Sequence, residues 1–175
     1  TSSNHPVPNY LKAIDKPIES LRIGIPSYFY SDDIDPDIRQ ALFNAIDVFK
    51  QLGATISDIE LPLQSLWTSC YYIIACAEAS SNLARFDGIR YGYRTPNATT
   101  LHDLITHSRS EAFGKQVKSR ILSGTYMLSS EHYEAYYVHA QKIRRMIKNE
   151  FETNLSKVDI ILSPTTPTCA FKLHA

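Results

Sequence analysis

Apolar and polar positions change period several times along this chain, and each change marks an element. Pro6, Pro8 and Pro17 break any period near the start, so residues 1–20 read as a loop or linker. Leu21-Arg22-Ile23-Gly24-Ile25 follows as a short strand that Pro26 ends, and Tyr28, Phe29 and Tyr30 form an aromatic loop. Ile38, Leu42, Ile46 and Phe49 then recur at helical spacing. Asp35 is placed to cap that helix, Pro36 to take its first position and Asp37 to face the positive end of its dipole, with Gly53 as the stop. Ala54 to Leu61 alternates as a strand with Ile56 and Ile59 inward. Strand, helix and strand at this spacing predict a β-α-β unit with parallel strands and a right-handed crossover. The fold class is therefore α/β.

The second half is mostly helical in pattern. Residues 63–86 read as a helix with Trp67, Tyr71, Ile74 and Ala77 on one face. Residues 88–98 form a loop, and Thr99 or Thr100 caps a short helix ending at Ile105. Ser110 is expected to begin another helix, carrying Phe113, Val117 and Ile121, that falters at Gly124. Ser130 is expected to cap the longest helix, whose stripe is Tyr133, Tyr136, Tyr137, Ala140, Ile143, Ile147 and Phe151. Residues 158–162, Val-Asp-Ile-Ile-Leu, have the composition of a fully buried strand. No internal repeat or low-complexity segment interrupts this order.

Composition mainly excludes. The 18 Lys and Arg match 18 Asp and Glu, so no net charge grips nucleic acid or an anionic membrane. The basic side of the last long helix, Lys142, Arg144, Arg145 and Lys148, is better read as a solvated face than as an RNA contact. Apolar runs such as 73–77 and 160–162 are far too short to span a bilayer, and the polar, Pro-rich start does not resemble a signal peptide. Cys70, Cys76 and Cys169 share no Cys-x-x-Cys spacing, which fits a reducing cytosol and small buried hydrophobes rather than a disulfide framework or a metal site. The first residue is not methionine and the last lies shortly after a core-type strand, so both ends read as cuts through a longer protein.

Candidate chemistry is sparse. His132 and His139, like His102 and His107, lack metal-site spacing. No glycine-rich loop joins the first strand to its helix, which removes the usual phosphate cradle. Ser80-Ser81, Ser108-x-Ser110 and Ser123-Gly124-Thr125 lie in polar surroundings, but no Gly-x-Ser-x-Gly elbow is present to supply an oxyanion site. Ser80 and Ser81 read as close-packing helix residues. Arg120 lies beside an apolar stripe, where a guanidinium can grip a carboxylate bidentately; spacing alone leaves that reading level with a plain surface arginine.

Several stretches together carry a family resemblance: YYIIACAEASSNLARFDGIRYG (71–92), SRSEAFGKQVKSRI (108–121) with Gly124-Thr125-Tyr126 after it, Tyr136-Tyr137 with QKIR (141–144), and VDIILSPTTP (158–167). LRIGIP (21–26) and Asp35-Pro36 also fit. In this order they resemble the amidase signature family, in the branch of the A-subunit of the glutamyl-tRNA(Gln)/aspartyl-tRNA(Asn) amidotransferase. The resemblance implies a mixed central sheet flanked by helices, with residues 21–175 an incomplete portion of a single amidase signature domain. The resemblance implies a Ser–cis-Ser–Lys triad whose nucleophilic serine lies in a Gly/Ser-rich signature; in the family those motifs precede the region matched here, so no catalytic residue is assigned to this chain. Tyr71 matches a pocket tyrosine that contacts glutamine, and Arg120 matches the arginine that holds its α-carboxylate. The pocket aspartate for the α-amino group would fall beyond Ala175. Ala112 and Ser119 depart from the family's usual glycine and arginine without removing a pocket residue.

The implied reaction is hydrolysis of glutamine through an acyl-enzyme. Its ammonia passes to a partner that amidates misacylated tRNA. The B- and C-subunits of the amidotransferase are the implied partners. The B-subunit is expected to make most of the tRNA contacts, and the complex uses ATP and magnesium through that partner. No cofactor or metal is implied on this chain, which is expected to be cytoplasmic and inactive alone. Another amidase signature hydrolase, or a non-catalytic α/β assembly module, remain the alternatives.

Overall fold

The computed structural model describes residues 3–173. They fall into two compact units, residues 3–61 with 150–173, and Pro62–Asn149. Each is described by itself.

The first unit is built on a parallel sheet. β1 (Arg22–Pro26) lies between β2 (Thr55–Ile59) and β3 (Ile160–Ile161), with Ile23 opposite both Ile56 and Ile160. Ile23 and Ile25 are fully buried, each worth about 1.5–3 kcal/mol of transfer free energy. They meet α1 (Pro36–Gln51) through Leu42 and Ile46. α1 starts as its sequence dictates: the Asp35 carboxylate accepts from the Asp37 amide, and Pro36 opens the helix. At its end Gly53 takes φ +89° and the chain turns directly into β2.

Two strand expectations change. Ile56 joins the α1-facing core, but Ile59, three residues on, must point to the opposite face of a period-two strand, and it is buried there against Val158 beside Gly24. The fully buried strand expected over 158–162 is only β3, with Ile160 38% exposed, because β3 is an edge of this sheet among the described residues. Its attachment is polar as well as apolar. The Arg22 guanidinium donates to Asp159 at 3.1 Å (Nε) and 2.7 Å (Nη2), while the Arg22 amide donates to the same carboxylate at 2.9 Å.

The second unit is helical. α2 (Trp67–Leu83) follows a single turn at Gln64–Leu66, and α3 (Leu101–Ala112) and α4 (Lys115–Met127) are consecutive. α5 (His139–Leu155) is entered through a wide turn at Glu134–Val138, and its last turns belong to the first unit. Thr100 caps α3 by accepting from the Asp103 amide. The helix does not end at Ile105, and Ser110 does not start one: the break falls where Phe113 becomes extended and Gly114 opens α4. Nor does α4 falter at Gly124, which is buried mid-helix at a helix contact. Ser130 is not the cap of α5. The Val138 amide bonds the Tyr133 carbonyl five residues back, a widened turn instead of a capped start.

Candidate functional site

α2 buries two faces rather than the one expected. Cys70 and Ile74 pack on Ala140, Ile143 and Ile147 of α5, while Cys76 is buried on the face that meets α4 at Gly124. The α4 seam is close. A Cβ at Gly124 would collide with the Cys76 carbonyl oxygen, so only glycine allows the two backbones this approach. One turn on, Ser80 and Thr125 hydroxyls meet at 2.9 Å, and because Thr125 donates to the Ile121 carbonyl, Ser80 is the donor of the pair. Ser80 thus packs as expected, whereas Ser81 is exposed.

This seam brings the two candidate residues together. The Arg120 guanidinium lies within electrostatic range of the Tyr71 side chain, and its Cζ lies 5.6 Å from the centre of the Tyr72 ring. The Tyr71 side chain, then the charge interaction with Tyr72, push Arg120 above its already high ordinary value, so it stays protonated. Tyr71 and Tyr72 stand edge to face with ring centres 6.3 Å apart, and both are about half exposed. Arg22 pairs with Asp159, Arg39 with Asp32 and Lys50 with Asp47, and among the described residues no ion pair occupies Arg120. A fixed guanidinium with free N–H donors is suited to receive a carboxylate from outside. Tyr71 also borders an apolar groove of about 330 Å³ lined by Trp67, Ile74 and Ile147, with Arg144 at its side.

The polar loop after α2 is held from α3. Arg109 donates to the Leu83 and Phe86 carbonyls at 2.7 and 3.0 Å, closing the α2 C-terminus with a cation. Ser108, buried, accepts from the Thr95 amide at 3.0 Å, and Glu111 accepts from the Tyr93 and Thr95 hydroxyls. Gly88, at φ +76°, approaches Ser108 so closely that a Cβ would lie 2.6 Å from its hydroxyl oxygen. Ser108 is therefore a loop anchor and not a nucleophile.

The remaining candidates are structural. Cys70 donates to the Ala140 carbonyl at 3.3 Å, and burial pushes its thiol up; all three cysteines are free. His132 packs edge-on against Tyr126 and His107 meets the Asn97 carbonyl. Asp35, Asp37 and Cys169 bring possible ligand atoms within 4.8 Å, but the Asp35 carboxylate already caps α1. Sequence reasoning missed Tyr72. Its signal was the i, i+4, i+8 row Tyr72, Cys76, Ser80, a face of one aromatic and two small residues made for a neighbouring helix.

A family model described as Amidase matches residues 1–175. The chain belongs to the amidase family. This amidase-family chain is 55% identical over 173 residues to the A-subunit of the glutamyl-tRNA(Gln) amidotransferase of Legionella pneumophila (strain Paris), covering 99% of the chain and 36% of that relative. It is 50% identical, with the same coverage, to the A-subunit of the Pseudomonas aeruginosa (strain LESB58) amidotransferase. The chain thus spans about a third of the length of these relatives. The crystal structure of the glutamyl-tRNA(Gln) amidotransferase A-subunit from Thermotoga maritima matches with a TM-score of 0.60 at 33% identity, over 89% of this chain and 29% of that one. A crystal structure titled amidase matches with a TM-score of 0.65 at 21% identity, over 91% and 31%, a likeness of fold. The α/β class and the family resemblance hold. Among the described residues, no helix is long and apolar enough to cross a membrane.

Proposed function

We propose that this chain is part of the glutaminase subunit of a tRNA-dependent amidotransferase, and that it supplies one wall of the glutamine pocket. The reading is supported by 55% identity over 99% of the chain to a protein named as the A-subunit of a glutamyl-tRNA(Gln) amidotransferase. The observation that carries the site is Arg120 beside Tyr71 and Tyr72, an ion-pair-free guanidinium over the Tyr72 ring on a half-exposed surface. In this reading Arg120 holds the α-carboxylate of glutamine with two parallel N–H bonds, and Tyr71 contacts the same substrate while steadying the fork. The acyl transfer itself, on a serine nucleophile of the family's Ser–cis-Ser–Lys triad, takes place on residues outside this sequence. The chain alone releases no ammonia from glutamine.

Ammonia then passes to the B-subunit, which with ATP and magnesium amidates Glu-tRNA(Gln), Asp-tRNA(Asn) or both, in a cytoplasmic complex completed by the C-subunit. The zero net charge of this chain suits a component that leaves the main tRNA contacts to its partner.

In the full-length protein within its complex, Arg120→Ala should raise the KM for glutamine about ten- to hundredfold, the loss expected for hydrogen bonds to a charged group. Amidation driven by added ammonia should be unchanged. An unaltered KM would turn the reading towards an amidase with a neutral amide substrate.

A further inference from the structure

We infer that Tyr72 is a positioning residue for substrate binding: its ring face holds the Arg120 guanidinium by a cation–π contact that leaves the N–H fork open for the substrate carboxylate. The inference rests on the proposed role of Arg120 and extends it to a residue that has no assigned part.

An arginine that waits for a substrate carboxylate must be held in place without its donors being used up. Guanidinium carries five N–H donors, all in its plane. A protein carboxylate would fix it most strongly, but would occupy the same fork that the substrate needs. Here no carboxylate pairs with Arg120 among the described residues. Its support comes from two neighbouring tyrosines instead. Tyr71 lies beside it and raises its proton affinity, and Tyr72 presents a ring 5.6 Å from the guanidinium carbon, within cation–π range. That contact uses the charge and not the donors, so most of the fork remains available.

The helices make the contact by construction. Tyr72, Cys76 and Ser80 are successive turns of one face of α2, and Arg120, Gly124 and Thr125 face them from α4, stepping in the same direction. Gly124 against the Cys76 carbonyl sets how near α4 can lie, and one turn earlier that spacing delivers Arg120 to Tyr72. Tyr72 is 49% exposed, so its replacement opens no core cavity.

The test is steady-state kinetics on the full-length protein in its complex, for Tyr72→Phe, Tyr72→Leu and Arg120→Ala. Tyr72→Leu, which removes the ring, should raise the KM for glutamine about two- to fivefold, the range a half-exposed cation–π contact supports, with kcat and ammonia-driven amidation held. Tyr72→Phe keeps the ring face and should restore the original KM. A KM unmoved in Tyr72→Leu, an equal loss in Tyr72→Phe, or a parallel fall in ammonia-driven activity would each overturn the inference. If Arg120→Ala raises KM while Tyr72→Leu does not, only the positioning role falls; if Arg120→Ala itself leaves KM unchanged, both readings fall.

Discussion

At the scale of single residues the site depends on one missing side chain. Gly124→Ala would drive a methyl group into a backbone oxygen that cannot rotate away, so α2 and α4 must separate. Overpacking of this kind costs about 1–3 kcal/mol, which a shift in the urea midpoint measures; an unchanged midpoint would mean that the seam is looser than described. Tyr30 offers a second local test. Burial first, then the hydrogen bond to Asp58 and its charge, push the phenol up to about 12. A phenol held neutral in the folded chain stabilises it below the unfolded pKa of about 10, and that contribution fades as pH rises from there to about 12. The ultraviolet tyrosinate titration of the wild type minus that of Tyr30→Phe should therefore show one late step, and a step near the ordinary value of about 10 would contradict the contact.

Elements show which parts of the fold are legible in the sequence. α1 is legible almost completely because its signals are local: a capping aspartate, a proline at the first position and one apolar stripe. Asp35→Ala should cost about 1 kcal/mol of stability, read by thermal or chemical unfolding. α2 and α4 are legible only in part because their signals are not local. Gly124 looks like a helix breaker until the carbonyl of another helix lies against it, and the second buried face of α2 exists only because α4 needs it. The α3–α4 break escapes the sequence for a related reason, since Ser110 resembles a cap while Gly114 makes the turn. β3 is shorter and more exposed than its composition suggests because an apolar run cannot report how many neighbours its strand has. Its hold on β1 through Arg22 is testable by pH. The Arg22 hydrogen bonds hold the Asp159 carboxyl at about 2, against about 3.9 when unfolded. A depressed acid stabilises the fold above the unfolded value and loses that contribution as pH falls from about 4 to about 2. The melting temperature of the wild type should drop more steeply across that window than that of Asp159→Asn; parallel curves would show that the ion pair contributes nothing.

For the molecule as a whole, the family and the two candidate pocket residues can be read from the chain, while their proximity comes only from the fold. Tyr71 and Arg120 lie far apart in sequence, and no local period can say that they meet. The chain also carries apolar surface that isolated proteins seldom expose, such as Leu122 and Tyr126, one turn apart on α4 at 70% and 52% exposure. Residues 1–175 alone should self-associate in sedimentation velocity as concentration rises, and Leu122→Lys with Tyr126→Lys should shift them towards monomer. The pocket assignment stands on Arg120 reading the α-carboxylate of a small amide substrate. A cycle that removes the two charges in turn decides it: Arg120→Ala on the protein and the α-carboxylate on the substrate, by comparing glutamine with 4-aminobutanamide in the full-length enzyme. If Arg120 pairs with that carboxylate, the wild type prefers glutamine strongly in kcat/KM and the variant loses most of the preference. If wild type and Arg120→Ala discriminate between the two amides by the same factor, the pair does not exist and the pocket assignment is wrong.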